Sequence, residues 1–211
     1  MTTNAEICAA ALRKIGVASA TQPISAEDLR DALAALARML SSWQNMRYNL
    51  WTYAEGEVTL TGAAGYILDP RPVEVHDVRL RRAGIDTPMQ QMTREEYFSL
   101  PQKASVGLPT CYFVDRQIGQ TTLYVWPLLA TPTTETLQIT YTREITTPVA
   151  GAETDTPAQF EDAVVYGLAA RLADDYEVAA DRVVARAERE LDLALSFDRE
   201  GSLYFAGDEY R

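Results

Sequence analysis

Histidine is almost missing from this sequence: His76 stands alone among 211 residues, alongside two cysteines, Cys8 and Cys111. That scarcity excludes a zinc site drawn from one chain in the usual sets of four Cys and His ligands. It also means that any Ser-His-Asp triad would have to use His76. Cys8 falls in a helical pattern and Cys111 in a strand pattern, where a cysteine reads as a small buried hydrophobe and not as half of a disulfide. No apolar run approaches the ~18 residues that a membrane span requires. The opening MTTNAEICAAALRK places no basic stretch ahead of an apolar block, so no secretory leader is expected, and assembly inside a cell is. GxGxxG, the P-loop, CxxC and HExxH are all missing too. Basic residues thin out towards the end: residues 151–211 hold 6 basic and 15 acidic groups, so most of the net charge of −11 sits there. Such a surface repels phosphates. It argues against sequence-specific nucleic-acid binding and leaves room for DNA that must slide past without sticking.

What is present is strong periodicity. Thr3-Asn4-Ala5-Glu6 fits a capping box, and Ile7, Cys8, Leu12 and Ile15 follow at helical spacing until Gly16. A second helix is expected from Ser25, with Leu29, Leu33, Leu36, Leu40 and Trp43 along one face and Glu27, Asp28 and Asp31 at its positive end. After RYNLWTY the period drops to two. Val58 and Leu60 alternate with threonines, and GAAG at 62–65 marks a turn. In VEVHDVRLR the parity of Val73 and Val75 is opposite to that of Val78 and Leu80, which predicts a β-bulge near His76-Asp77. AGID closes a hairpin, and Thr93 to Glu96 caps a short helix stopped by Pro101. YFVDRQIGQTTLYVWPLL then reads as two strands around a Gly119 turn, ending at a Trp126-Pro127 corner, with LQITYTR as another strand. Five to seven strands are expected in all. The segment TPVAGAETDTP has linker composition, with Asp155 or Thr156 capping the next helix and Pro157 in its first turn. Phe160, Val164, Leu168 and Leu172 mark that helix's buried face, and a last helix is expected from about Glu177 to Arg199.

These elements predict an α+β fold. Its expected parts are a four-helix bundle made by the N- and C-terminal helix pairs (residues 1–54 and 148–200), an inserted small antiparallel β domain (55–147) and an extended C-terminal tail (201–211).

No residue set carries chemistry convincingly. Glu95 and Glu96 are adjacent on a helix, so their carboxylates diverge, and Glu96 already serves the capping box. His76 reads as a strand-surface residue. The acidic run ADDYEVAAD (173–181) lacks the glycine turn and bidentate glutamate of a calcium loop and reads as a solvated helix junction. No catalytic, cofactor or metal residues are therefore expected. The tail is the anomaly: Leu203, Tyr204, Phe205 and Tyr210 lack both the period and the length to bury one another. They either fold back on the chain's own bundle or serve as anchors in a neighbouring subunit or partner.

TNAEICAAALRKIGVAS, with its Lys14-Ile15-Gly16 turn, followed by LRDALAALARMLSSWQ ending in Trp43, resembles the N-terminal helix pair of head-to-tail connector (adaptor) proteins of short-tailed bacteriophages. GLPTCYFVDRQ, LYVWPLL and LQITYTREI resemble the β insertion of longer members, and Leu168 to Tyr176 resembles their third helix. The resemblance implies a structural virion protein, not an enzyme, at the head-to-tail joint and assembled in the host cytoplasm. It implies a homo-oligomeric ring, usually twelve-fold, beneath the portal, which extends the DNA channel, helps retain the genome and meets a downstream nozzle or tube protein. It also implies portal docking through the chain's end, here Ser202 to Arg211. The runner-up reading is a virion-associated cell-wall hydrolase using Glu95, Glu96 or an acid of the last third; a third is a monomeric cellular adaptor.

Overall fold

The computed structural model describes residues 2–19, 21, 23–45, 50–130 and 134–197. It is α+β, and its described residues divide into two compact units: those up to 51 together with those from 145 onward, and residues 52–144.

The first unit holds four α-helices, α1 (Asn4–Lys14), α2 (Ala26–Asn45), α4 (Glu161–Asp175) and α5 (Asp181–Phe197). The α1 capping box forms: the Thr3 hydroxyl accepts from the Glu6 amide, and the Glu6 carboxylate accepts from the Thr3 amide at 2.8 Å. Ser25 starts α2 in the same way, its hydroxyl accepting the Asp28 amide at 3.0 Å. One apolar cluster joins Ile7, Cys8 and Leu12 of α1, Leu36, Met39 and Trp43 of α2, Val164, Leu168 and Leu172 of α4, and Ala194 of α5. Burying each leucine contributes roughly 1.5–3 kcal/mol. A β-carbon at Gly167 in α4 would meet the Met39 sulfur at 3.1 Å and the Trp43 ring at 3.3 Å, so the missing side chain is what lets α2 approach.

The segment 147–157, a linker by composition, is pinned to the start of α1. The amides of Asn4 and Ala5, orphans of a helix N-terminus, donate to the carbonyls of Ala152 and Ala150, each at 3.0 Å. The buried Asn4 side chain donates to the Val149 carbonyl and accepts from the Thr154 hydroxyl. The expected cap by Asp155 or Thr156 does not form. The Asp155 carboxylate instead accepts the Thr146 amide at 2.9 Å, and the chain enters α4 through a 3-10 turn, Ala158–Phe160, after Pro157. The last helix also starts later than the pattern predicts, because the turn after α4 uses Glu177 at φ 53°.

The second unit carries β1 (Tyr53–Thr59), β2 (Gly65–Ile67), β3 (Pro72–Arg82), β4 (Ile85–Pro88), β5 (Gln90–Gln91), α3 (Arg94–Ser99), β6 (Cys111–Gln117), β7 (Gln120–Trp126) and β8 (Thr136–Arg143). Eight strands thus replace the expected five to seven. They form two four-stranded sheets, ordered β1-β8-β3-β4 and β2-β7-β6-β5. The excess comes from β5, too short to leave a periodic signature, whose pairing with β6 is parallel while the other named strand pairs are antiparallel. The register shifts between Val75 and Asp77, placing the bulge where the parity change puts it. Ala83 and Gly84, both at positive φ, close the β3–β4 hairpin. Leu60, Val75, Val78 and Leu80 meet Tyr66, Tyr112, Leu123 and Val125 across the two sheets in one core. Phe113 breaks the alternation by being buried as well, since α3 covers its face and stacks Tyr97 on it at 5.2 Å.

Candidate functional site

The residues that could carry catalysis are occupied elsewhere. The Glu96 carboxylate accepts from the Thr93 amide at 2.7 Å and completes a second capping box. These hydrogen bonds to Thr93 hold its pKa below the ordinary carboxylate value, the wrong direction for a general acid. The Glu95 side chain is exposed beside it. His76 pairs its Nε2 with the Thr142 hydroxyl at 2.6 Å and takes the Tyr53 ring edge-on at 4.7 Å. Neither partner is a carboxylate that would orient an imidazole for proton transfer. Cys8 is fully buried in the helical core, and burial pushes its thiol up to about 11, which disfavours the reactive thiolate.

The acidic run 173–181 works as a helix junction. Tyr176 donates its hydroxyl to Asp28 at 2.6 Å, linking the end of α4 to the start of α2. Burial, then the bond to Asp28, drives the Tyr176 pKa up to about 12. Among the described residues no group of three or more His, Cys, Asp or Glu side chains converges on a point that could hold a metal.

The surface is richer in contacts than in chemistry. Tyr97, Phe98, Phe113 and Tyr124 cluster beside α3, with Lys103 over the Phe98 ring at 4.5 Å. The Trp126-Pro127 corner clamps the loop before β6. Trp126 donates its indole N–H to the Gln102 carbonyl at 3.2 Å, Pro127 packs against Gly107, and Leu128 bonds back to Ser105 and Gly107. The hairpin is thereby explained within its own unit. Ile67, Ile85 and Ile118 of this unit are exposed, the last wholly so at the β6–β7 turn. The sequence held a signal for Ile118, an apolar residue at the tip of a Gln-Ile-Gly-Gln turn. The proposed tail anchors Leu203, Tyr204, Phe205 and Tyr210 lie outside the described residues.

The SU10 adaptor protein family model matches residues 2–204, nearly the whole chain. This chain belongs to the SU10 adaptor protein family. No curated protein matches it. Family membership makes it a bacteriophage head-to-tail adaptor, a structural component of the virion that meets portal and tail proteins. The match runs through both units and stops at residue 204, within the stretch read as the tail. No helix among the described residues is long and apolar enough to cross a membrane.

Proposed function

We propose that this adaptor assembles as a ring, twelve-fold in the virion, beneath the portal. There it extends the DNA channel, helps retain the packaged genome and receives the downstream nozzle or tube protein. In this reading the four long helices act as a four-helix bundle, with residues 1–54 and 148–200 as a discontinuous helical domain and 55–147 as an insertion that lengthens the ring wall. Ser202 to Arg211 is the portal-docking extension, with Leu203, Tyr204, Phe205 and Tyr210 as its anchors. The protein has no catalytic role. It assembles in the host cytoplasm and lets DNA pass without reading its sequence.

The family match across nearly the whole chain carries the reading. The acidic balance supports it, since a lumen that repels phosphates lets DNA slide. Deletion of residues 202–211 tests the tail. The shortened protein is expected to keep its circular dichroism and melting temperature and to lose cosedimentation with purified portal; retained binding would rule out the tail as the docking element. On a peptidoglycan zymogram neither the protein nor Glu96→Gln should give a lytic band, whereas a band lost on that substitution would mark a hydrolase.

A further inference from the structure

The two ends of the first sheet are unlike. At one end β4 is four residues long and finishes in Pro88, so it offers little to an incoming strand. At the other end β1 runs seven residues, and among the described residues no strand pairs with its outer edge. Its hydrogen-bonding parity is fixed by the Leu60 amide, which donates to the Glu135 carbonyl at 3.2 Å. Counting back in steps of two, Val58, Gly56 and Ala54 bond to β8, while the amides and carbonyls of Tyr53, Glu55, Glu57 and Thr59 point outward.

That edge borders a groove of about 390 Å³ between the two sheets. Val58, Ile139 and Tyr141 line it from the first sheet, and Leu68, Asp69 and Pro70 from the stretch after β2, itself the open edge of the second sheet. The floor is shaped for close approach: Gly56 has no side chain because a β-carbon there would meet the Tyr141 ring at 3.1 Å. On the sheet's opposite face Glu55 and Glu57 stand along the rim. Glu55 is ion-paired inward to Arg79 at 3.4 Å and is 77% exposed, and Glu57 accepts from Gln138. A strand laid on β1 would therefore send alternate side chains into a groove walled by Val58, Ile139 and Tyr141, and the intervening ones beside two carboxylates.

We propose that the β1 edge accepts an extended segment of a different protein, in which apolar residues alternate with lysine or arginine. Backbone bonds to Tyr53, Glu55, Glu57 and Thr59 would supply the attachment, and the Val58, Ile139 and Tyr141 wall with its acidic rim the selectivity. A second copy of this chain is the poorer occupant. Two β1 edges would bring like charges together, β4 is a stunted edge, and the chain's own apolar-basic run, Val78 to Arg82, is already held as β3 between β8 and β4. The last eleven residues carry only Arg211 against Asp208 and Glu209. This inference goes beyond the ring reading and does not depend on docking through the tail.

The test uses the full-length protein and three capped peptides: Lys-Val-Arg-Val-Lys-Val-Arg, the same peptide with glutamate at each basic position, and the basic peptide methylated on every backbone nitrogen. Hydrogen exchange by NMR is read at individual amides. The basic peptide is expected to slow exchange at Tyr53, Glu55, Glu57 and Thr59 by at least tenfold while leaving Asp86 on β4 unchanged. The acidic peptide should bind at least tenfold more weakly and the methylated one not at all. Glu57→Pro removes an outward donor and the carboxylate that Gln138 uses but none of the β1–β8 backbone bonds, so it should keep the melting temperature within a few degrees and abolish protection at Tyr53, Glu55 and Thr59. Should that variant misfold, Glu55→Lys with Glu57→Lys should instead reverse the preference between the basic and acidic peptides. No protection by the basic peptide, equal binding of the acidic or methylated ones, or concentration-dependent self-association that protects the same four amides would each overturn the proposal.

Discussion

The helical and β units bury their cores by opposite strategies. The helical unit draws its core from segments well over a hundred residues apart in the chain: Ile7 and Leu36 on one side of the insertion, Phe160 and Leu168 on the other. The β unit is one continuous stretch in which β3–β4 and β6–β7 close as local hairpins, while β1–β8, β3–β8 and β2–β7 pair over longer separations inside residues 52–144. The helical core also leans on small residues, with Ala11, Ala32, Ala163, Ala169 and Ala173 all fully buried or nearly so, whereas the β core leans on leucines and β-branched residues, with Tyr66 and Tyr112 among them. The difference teaches where each unit is vulnerable. Closing the helical core carries the entropy of a loop that spans the whole insertion, so it relies on both ends of the chain, whereas every pairing of the β unit closes within residues 52–144.

Breaking the chain should expose that asymmetry most strongly. Residues 52–144 expressed alone are expected to give a cooperative melt and a dispersed amide spectrum, and residues 1–51 alone to stay unfolded. Truncating Phe160 to alanine comes next. Its ring is 1% exposed and packs on Trp51 at 4.7 Å. The loss should be about 3–5 kcal/mol, confined by hydrogen exchange to the helical unit.

Titration separates the units more gently. Cys8, raised by burial from 9.0 to about 11, contributes stability that is complete below pH 9 and lost as the pH climbs towards 11. Tyr176, raised from 10.0 to about 12 by burial and then by its bond to Asp28, extends that loss towards pH 12. Both lie in the helical unit, so Cys8→Ala should flatten the early part of its alkaline destabilisation in chemical-denaturation curves. On the acid side the signs reverse. Glu6 and Glu96 are held low by their bonds to Thr3 and Thr93, so each contributes stability present above its unfolded pKa and lost as the pH falls through the folded one.

The smallest effects make the cleanest matched pair. Thr3→Ala and Thr93→Ala remove equivalent capping boxes from the two units. Each should cost about 1 kcal/mol, detected only by probes in its own unit; a cost shared between the units would mean they unfold together.

Local chemistry was legible in the sequence and distant pairing was not. Both capping boxes, the Ala83-Gly84 hairpin and the bulge beside His76 follow from spacing within a few residues. The burial of Phe113 depends on where α3 lands, and the parallel β5–β6 pair leaves only two residues of trace. Asp155 looked like a helix cap because the alternative, the Thr146 amide nine residues back, becomes a partner only once the chain has folded. Asn4 looked like one more capping-box residue, yet its buried amide fastens the supposed linker. The acidic β1 edge escaped notice because a strand's position in its sheet is a property of pairing, and TYAEGEVTL says nothing of who stands beside it.

Electron microscopy of the purified protein mixed with its purified portal tests the account most directly. A closed ring of adaptor subunits seated on the portal, matched in copy number by mass measurement, is the expected result. Adaptor that remains unattached, or attaches singly without ever closing a ring, would contradict it.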